Sequence, residues 1–306
     1  MTIENKSTLL ITGASGFVGS RLGSAAAETG HRVIALSRTP ETAVAPYAER
    51  VEAWRPDTEL VPSSVLNDIG AVVHLAGETI GTRWNPDKKQ RIRDSRVNST
   101  NQLVESLSKV ETKPEVLVCA SAIGFYGEGG DEEFTEDSPP SNDFLAEVCQ
   151  EWELAAQKAE DLGIRVVRVR LGHVLGKNGG LLKTMLPPFQ MGLGGRLGSG
   201  TQWMSWIHID DVAGIILYAI ENRNVNGALN ATAPTAITNI EFTKTLGRVI
   251  RRPTLFPVPT FALKLRFGEF TDFVLMSQRV VPEKTVSMGY EFRYADLESA
   301  LRASMG

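Results

Sequence analysis

Three glycines, Gly13, Gly16 and Gly19, follow directly on the apolar run Leu9-Leu10-Ile11 and open an amphipathic stretch, and this limits what the chain can fold into more than any other feature. A strand that turns at once into a helix needs one glycine for the tight turn. A second lets the backbone approach a pyrophosphate, and a third lets helix and strand pack closely. The unpaired N–H groups and positive dipole at the helix start then attract phosphate. Gly13, Ala14, Ser15, Gly16, Phe17 and Val18 are therefore expected to line a dinucleotide's phosphates. Spacing alone would be weak evidence, and a ligand-free strand-to-helix turn is the plain alternative; the strand before and the helix after carry the reading.

Further short β-branched runs alternate with amphipathic stretches. Arg32–Leu36, Val72–Ala76, Val116–Cys119 and Val166–Val169 read as buried strands, with helices predicted at 86–109 and 143–162, the latter closed by Gly163. This is the pattern of an α/β fold, a doubly wound parallel Rossmann sheet with helices on both faces and a smaller C-terminal lobe. The dinucleotide domain is expected over 1–172, completed by about 208–238, with a substrate lobe from 173–207 and 239–306. Glycines crowd positions 172–200, which places the mouth of a pocket there. Trp206–Ala213 reads as a short strand feeding a helix with an Asp at its N-cap.

NAD-binding proteins place an acid roughly 20 residues after the glycine turn, on the ribose 2′-hydroxyl. Here Ser37-Arg38 stands at that place, with no carboxylate. A guanidinium pairs with a 2′-phosphate, so NADP(H) is expected in preference to NAD(H), against the alternative of a solvated surface arginine. A net charge of −4 gives no general field for nucleic acid. Met1–Lys6 lacks the apolar run of a signal peptide, and no stretch is apolar long enough to span a bilayer, so a cytoplasmic monomer or homodimer acting on a small molecule is expected. Cys119 and Cys149 and the four scattered histidines form no metal-like spacing.

Thr12–Gly19, Val73–Gly77, Gly124-Phe125-Tyr126-Gly127 and Trp206–Asp211 together resemble the extended short-chain dehydrogenase/reductase superfamily. Arg83-Trp84-Asn85, Arg93–Arg96, Gly194–Gly200 and the tail Ser277–Pro282 are similar to its NAD-dependent epimerase/dehydratase-like branch, a sugar-nucleotide epimerase-like group of unknown substrate. The resemblance covers nearly the whole chain. It implies a seven-stranded sheet, NADP(H) across the carboxyl edge and a C-terminal lobe over the nicotinamide. Leu75, Ala76 and Gly77 would flank the adenosine and ribose, Arg96 would face the cofactor, and Val174 would border the nicotinamide or serve in packing. A sugar nucleotide is the substrate that the resemblance suggests.

The catalytic groups of that superfamily are missing. Its Ser/Thr, Tyr and Lys positions fall here on Ala122, Leu145 and Cys149, and 141–157 contains no tyrosine or lysine in any register. Tyr126 is the nearest replacement acid, with aromatic packing as its alternative; Ser121 would need a bulge to face the site. His173 is read as a structural hydrogen-bonding residue or a proton donor. Cys149 is read as buried packing or a thiol beside the cofactor, His74 as a satisfied core residue and Asp210-Asp211 as capping. Two functions are therefore open: an NADP(H)-dependent epimerase or oxidoreductase without the usual triad, and a non-catalytic NADPH-binding sensor or assembly factor.

Overall fold

The structure, a computed structural model, describes residues 7–43, 45–56, 58–177 and 179–305. Seven parallel strands form the central sheet: β1 (Thr8–Thr12), β2 (Arg32–Ser37), β3 (Arg50–Ala53), β4 (Ala71–His74), β5 (Val116–Ala122), β6 (Arg165–Leu171) and β7 (Gly227–Ala231). Their order is β3-β2-β1-β4-β5-β6-β7. The direction of winding reverses between β1 and β4, which opens a crevice at the carboxyl ends where ligands of such sheets bind.

The period of two along each strand assigns the helices to their faces. Leu9 and Ile11 of β1 point one way, with Val33, Val73 and Val118, against Leu22 and Ala26 of α1 (Phe17–Glu28). Leu10 points the other way, with Ile34, Val72 and Leu117, against Leu103 and Leu107 of α2 (Pro86–Ser108) and Trp152 and Ala156 of α3 (Phe144–Gln157). Strands buried on both faces read as continuous apolar runs, which is why these were legible. β3 was not: Arg50-Val51-Glu52-Ala53 is a half-covered edge strand. β7, Gly-Ala-Leu-Asn-Ala, lacks the β-branched residues that mark a strand.

After β6 the chain forms a second, smaller core. Helices α4 (Gly180–Gln190), α6 (Asn239–Ile250) and α7 (Leu297–Met305) enclose Leu182, Phe189, Trp206, Phe242, Leu246 and Leu301. Between α4 and α6 comes α5 (Ile209–Glu221), which rejoins the main sheet beside α1. The expected Asp N-cap of α5 is corrected: His208 is the cap, its ring nitrogen accepting from the Asp210 N–H. Asp210 instead bonds Arg21 of α1 at 2.5 Å, and fully buried Asp211 accepts from the N–H groups of Arg293 and Tyr294 and from the Tyr290 hydroxyl. The predicted helix over 143–162 divides into α3 and a tighter turn, Lys158–Leu162, with Gly163 left-handed at φ 79° as its terminator.

A buried ionic network ties β5, β6 and α3 together. Glu153 accepts from Ser121 Oγ at 2.7 Å, from Arg170 at 2.8 and 3.0 Å and from Arg168 at 3.2 Å. The Arg170 guanidinium lies 3.6 Å from the centre of the Phe125 ring and donates to the Tyr126 hydroxyl at 2.8 Å. Breaking a buried pair leaves a charge unpaired, so Arg170→Met should cost about 3–5 kcal/mol in urea unfolding. A loss below about 1 kcal/mol would show that Arg168 alone satisfies Glu153.

Candidate functional site at the carboxyl edge

The glycine turn is pressed against the end of β4. Gly13 holds φ 66°, and a Cβ there would lie 2.8 Å from the Leu75 carbonyl and 2.9 Å from the Ala76 nitrogen. A Cβ on Gly19 would lie 2.2 Å from the Gly13 oxygen, so the third glycine is what lets α1 start so close to its strand. Gly16 is the N-cap without any side-chain cap, and the first turn of α1 contains no acid. Its N–H groups therefore present an uncompensated positive end at exposed Ser15 and Gly16. Ala14 is buried and its carbonyl accepts from Tyr47 at 2.6 Å. Val18 is half-buried against the core, and the Phe17 ring fills the space left open by Gly179 and Gly180.

Two fully buried side chains, Thr12 and His74, lock β1 to β4 beneath this turn. Thr12 Oγ1 lies 2.7 Å from His74 Nδ1 and accepts from the N–H groups of Leu75 and Ala76 at 3.1 and 3.2 Å. Having accepted twice, the hydroxyl gives its proton to Nδ1, which leaves the proton of the neutral ring on Nε2, facing Ser99 of α2 at 3.2 Å. Burial lowers the His74 pKa to about 4, consistent with that neutral form.

The remaining cofactor candidates converge on the same edge. Ser37 ends β2 and its hydroxyl accepts from the Thr39 N–H at 3.1 Å, while Arg38 is exposed just beyond. Leu75 and Ala76 are half-buried and Gly77 is exposed. Arg96 reaches the same turn: it donates to the Glu78 and Ile92 carbonyls at 3.0 Å each and lies 5.3 Å from the Trp152 ring centre. A Cβ on Gly77 would sit 3.3 Å from its guanidinium carbon.

Sequence reasoning missed Glu78. It bonds Lys88 at 2.5 Å, and that bond, with the charges of Lys88, Arg91 and Arg38, holds its carboxyl below the usual range. Its signal was an acid just past the β4 glycine and ten residues before a buried lysine, a spacing that only the tertiary fold makes meaningful.

Val174 lies in the short strand His173–Leu175, which pairs with Trp206–His208, and packs at the margin of the main core. Burial lowers His173 to about 4, so it is neutral at pH 7. Tyr126 is a correction. Its ring is 2% exposed, its hydroxyl donates to Asn230 at 2.7 Å and accepts from Arg170, and burial pushes its pKa up to about 12. A proton so held is not available to a ligand, and the packing alternative is the better account. Ser121 faces Glu153, and burial pushes the Cys149 thiol up to about 12.

Among the described residues no cluster of three or more metal-ligating side chains occurs, and no helix is long and apolar enough to cross a membrane. Cavities of about 600 and 300 Å³ lie on α6 and the loop after it, lined by residues such as Lys244, Arg251, Arg252 and Thr254, and not at the glycine turn.

Comparison with known proteins matches residues 9–231 to the NAD dependent epimerase/dehydratase family. The chain belongs to that family. Residues 258–304 match a domain of unknown function, DUF1731. The family member is similar to the epimerase family protein SDR39U1 homolog of Arabidopsis thaliana chloroplasts, 42% identical over 99% of this chain and 88% of that one. The human epimerase family protein SDR39U1, crystallised with NADPH, is 34% identical with a TM-score of 0.87, covering 97% of this chain and 98% of the other. A nucleoside-diphosphate sugar epimerase from Corynebacterium glutamicum is 36% identical with a TM-score of 0.79, over 99% of this chain and 59% of that one.

The depressed pKa of His74 has a direction in stability. Protonation favours the unfolded chain, where the ring titrates near its ordinary value of 6.5, so its contribution is intact above that pH and falls away as pH drops toward 4. That loss is at most about 3 kcal/mol for the ring, at about 1.4 kcal/mol per unit. Burial lowers His173 and His208 as well, so urea midpoints of His74→Gln between pH 5 and 7 should fall less steeply with acid than those of the wild type, without losing the dependence altogether. An unchanged slope would remove His74 from that role.

Proposed function

We propose that this chain is an NADP(H)-dependent epimerase or oxidoreductase that acts on a small molecule without a side-chain proton donor of the Ser-Tyr-Lys kind. The observation that carries the cofactor choice is Arg38, exposed at the tip of β2 beside the glycine turn, where a carboxylate would select NAD(H). The NADPH held by the human relative supports the same choice. In this reading the turn from Gly13 to Val18 takes the pyrophosphate, Ser37 and Arg38 the 2′-phosphate, Leu75, Ala76 and Gly77 the adenosine and its ribose, and Arg96 and Val174 the nicotinamide end. The bound dinucleotide supplies or accepts a hydride.

The protein's part is to bind, orient and exclude water. Glu78, paired to Lys88, lies within reach of the Arg38 charge at the same edge. Water and His173 remain as proton sources, since Tyr126 and Ser121 are committed to buried partners. The missing triad also motivates a binding-only role, and the family membership favours an enzyme.

Calorimetry tests the assignment. Arg38→Ala should raise the NADPH dissociation constant by about 10–100-fold, the value of a charge-assisted hydrogen bond or two, and leave NADH within about twofold. Equal losses for both nucleotides would reject the 2′-phosphate role. Tight NADPH binding with no turnover on carbonyl and sugar-nucleotide panels would replace the enzyme by the binding-only reading.

A further inference from the structure

Charge is unevenly distributed over the smaller lobe. Residues 242–268 include six lysines and arginines and no carboxylate, and residues 177–209 three and none, in a chain whose net charge is −4. Folding brings the two stretches together. Arg252 Nε donates to the Gln190 carbonyl at 2.9 Å, the Val258 N–H to the Arg196 carbonyl at 2.8 Å, and the Gly198 N–H to the Val258 carbonyl at 2.9 Å. Arg248 pairs with Glu298 at 3.2 Å, whereas Arg196, Lys244, Arg251, Arg252, Lys264 and Arg266, all exposed, have no ion-pair partner among the described residues. The nearby Glu241 is taken up by the N–H and hydroxyl of Thr238.

Apolar side chains stand among these cations. Eight large apolar residues are exposed among the described residues, and six of them, Met191, Leu193, Leu255, Phe256, Phe261 and Leu265, belong to the same two stretches, at 58–78% exposure. Single exposed hydrophobes are ordinary on a protein surface; a group of six is not. The helix Thr260–Phe267 buries only Leu263, and Phe261 and Leu265 lie one turn apart on it with Lys264 and Arg266 beside them. A cavity of about 300 Å³ is lined by Leu255 together with Arg196, Thr243 and Lys244, and a second of about 600 Å³ shares Lys244 and adds Arg248, Arg251 and Arg252. Thr243 is 2% exposed and its hydroxyl has no hydrogen-bond partner, so the first cavity holds a buried polar group left for a ligand to satisfy.

A partner for this face is anionic and accepts apolar side chains. Free phosphate or RNA would answer the cations but leave six apolar side chains in water. A second copy docked about a two-fold axis would set cation against cation with no carboxylate to answer them. An anionic bilayer meets both demands, because its surface potential attracts lysine and arginine and its headgroup region takes up apolar tips. We propose that this face docks on anionic phospholipid, with Leu255, Phe256, Phe261 and Leu265 entering the headgroup region and a lipid phosphate seated among Arg196, Thr243 and Lys244. The contact is peripheral, since among the described residues no helix is long and apolar enough to cross a membrane. It uses none of the residues assigned to the dinucleotide, so it stands apart from the cofactor reading.

Sedimentation of the full chain with vesicles tests this, comparing phosphatidylcholine alone with phosphatidylcholine containing about one-third phosphatidylglycerol. Binding to the anionic vesicles is expected to be at least about tenfold the stronger and to weaken steeply with added salt. Phe256→Ser should lower it about tenfold, and the double variant Arg251→Glu, Arg252→Glu at least as much, with urea midpoints unchanged because all three side chains are exposed. Leu265→Ser, on the separate short helix, gives a second reading of the apolar contribution should the Phe256 variant not fold. Thr243→Val, which keeps the shape and removes the hydroxyl, should lower anionic binding about threefold. Equal binding to both vesicles, no binding to either, or anionic binding that survives both the Phe256 and the Leu265 change overturns the bilayer. Self-association or RNA binding without vesicle binding does the same and gives the face to that partner. Unchanged vesicle binding by Thr243→Val overturns the phosphate seat alone.

Discussion

The contact of backbone on backbone between Gly13 and the end of β4 is the constraint on which the edge of this molecule depends. Two chains can approach that closely only where one lacks a Cβ and the other is held in register, and the Thr12–His74 pair provides the second condition. The same histidine extends to Ser99 on α2, whose own hydroxyl bonds back to the Ser95 and Arg96 carbonyls. A neutral ring thus couples the glycine turn after β1, the small residues after β4 and the helix that carries Arg96. An apolar residue at position 74 would fill the core equally well but leave the Thr12 proton and the Ser99 hydroxyl oxygen without their partner.

The parts of the fold that were legible in the sequence are those where burial on both faces imposes a composition. β1, β2, β4, β5 and β6 are runs of Leu, Ile and Val because helices cover both sides, and the glycines of the first turn stand where side chains would collide with backbone. β3 lies at an edge and β7 is built of small residues beside α5, so neither carries a periodic signal. The His208 cap was hidden because an acid normally takes that place, and here the two acids after it are drawn to partners distant in sequence, Asp210 to Arg21 and Asp211 to residues 290–294. Long-range demand for a carboxylate overrode the local preference.

The candidate site divides along the same line. Gly13–Val18, Ser37, Arg38 and Leu75–Gly77 are brought to one edge, and their identity as neighbours followed from strand order once the strands were placed. The two readings of Tyr126, acid and packing, stayed open in the sequence because sequence distance from the strand end cannot distinguish a ring above the sheet from one beneath the loop. Its phenol belongs with Arg170, Glu153 and Asn230, groups that lie 27–104 positions away in the chain. The Glu78–Lys88 pair is a tertiary product of the same kind.

The C-terminal lobe is held by polar bonds as well as by packing. Ser277 bonds Gly130 at 2.6 Å, Gln278 spans the Ile123 and Gly127 carbonyls, and the Val280 N–H donates to buried Ser205 at 2.7 Å. The Ser277 and Gln278 bonds clamp the segment just after Phe270 and Phe273 to the loop directly after β5, and the Val280 bond ties it to the smaller core. A segment held by such bonds resists rearrangement, because moving it would expose several buried donors and acceptors at once. The C-terminal lobe and the loop after β5 therefore hold their relative positions as one preformed surface, and a ligand meeting it would find little freedom to reshape it.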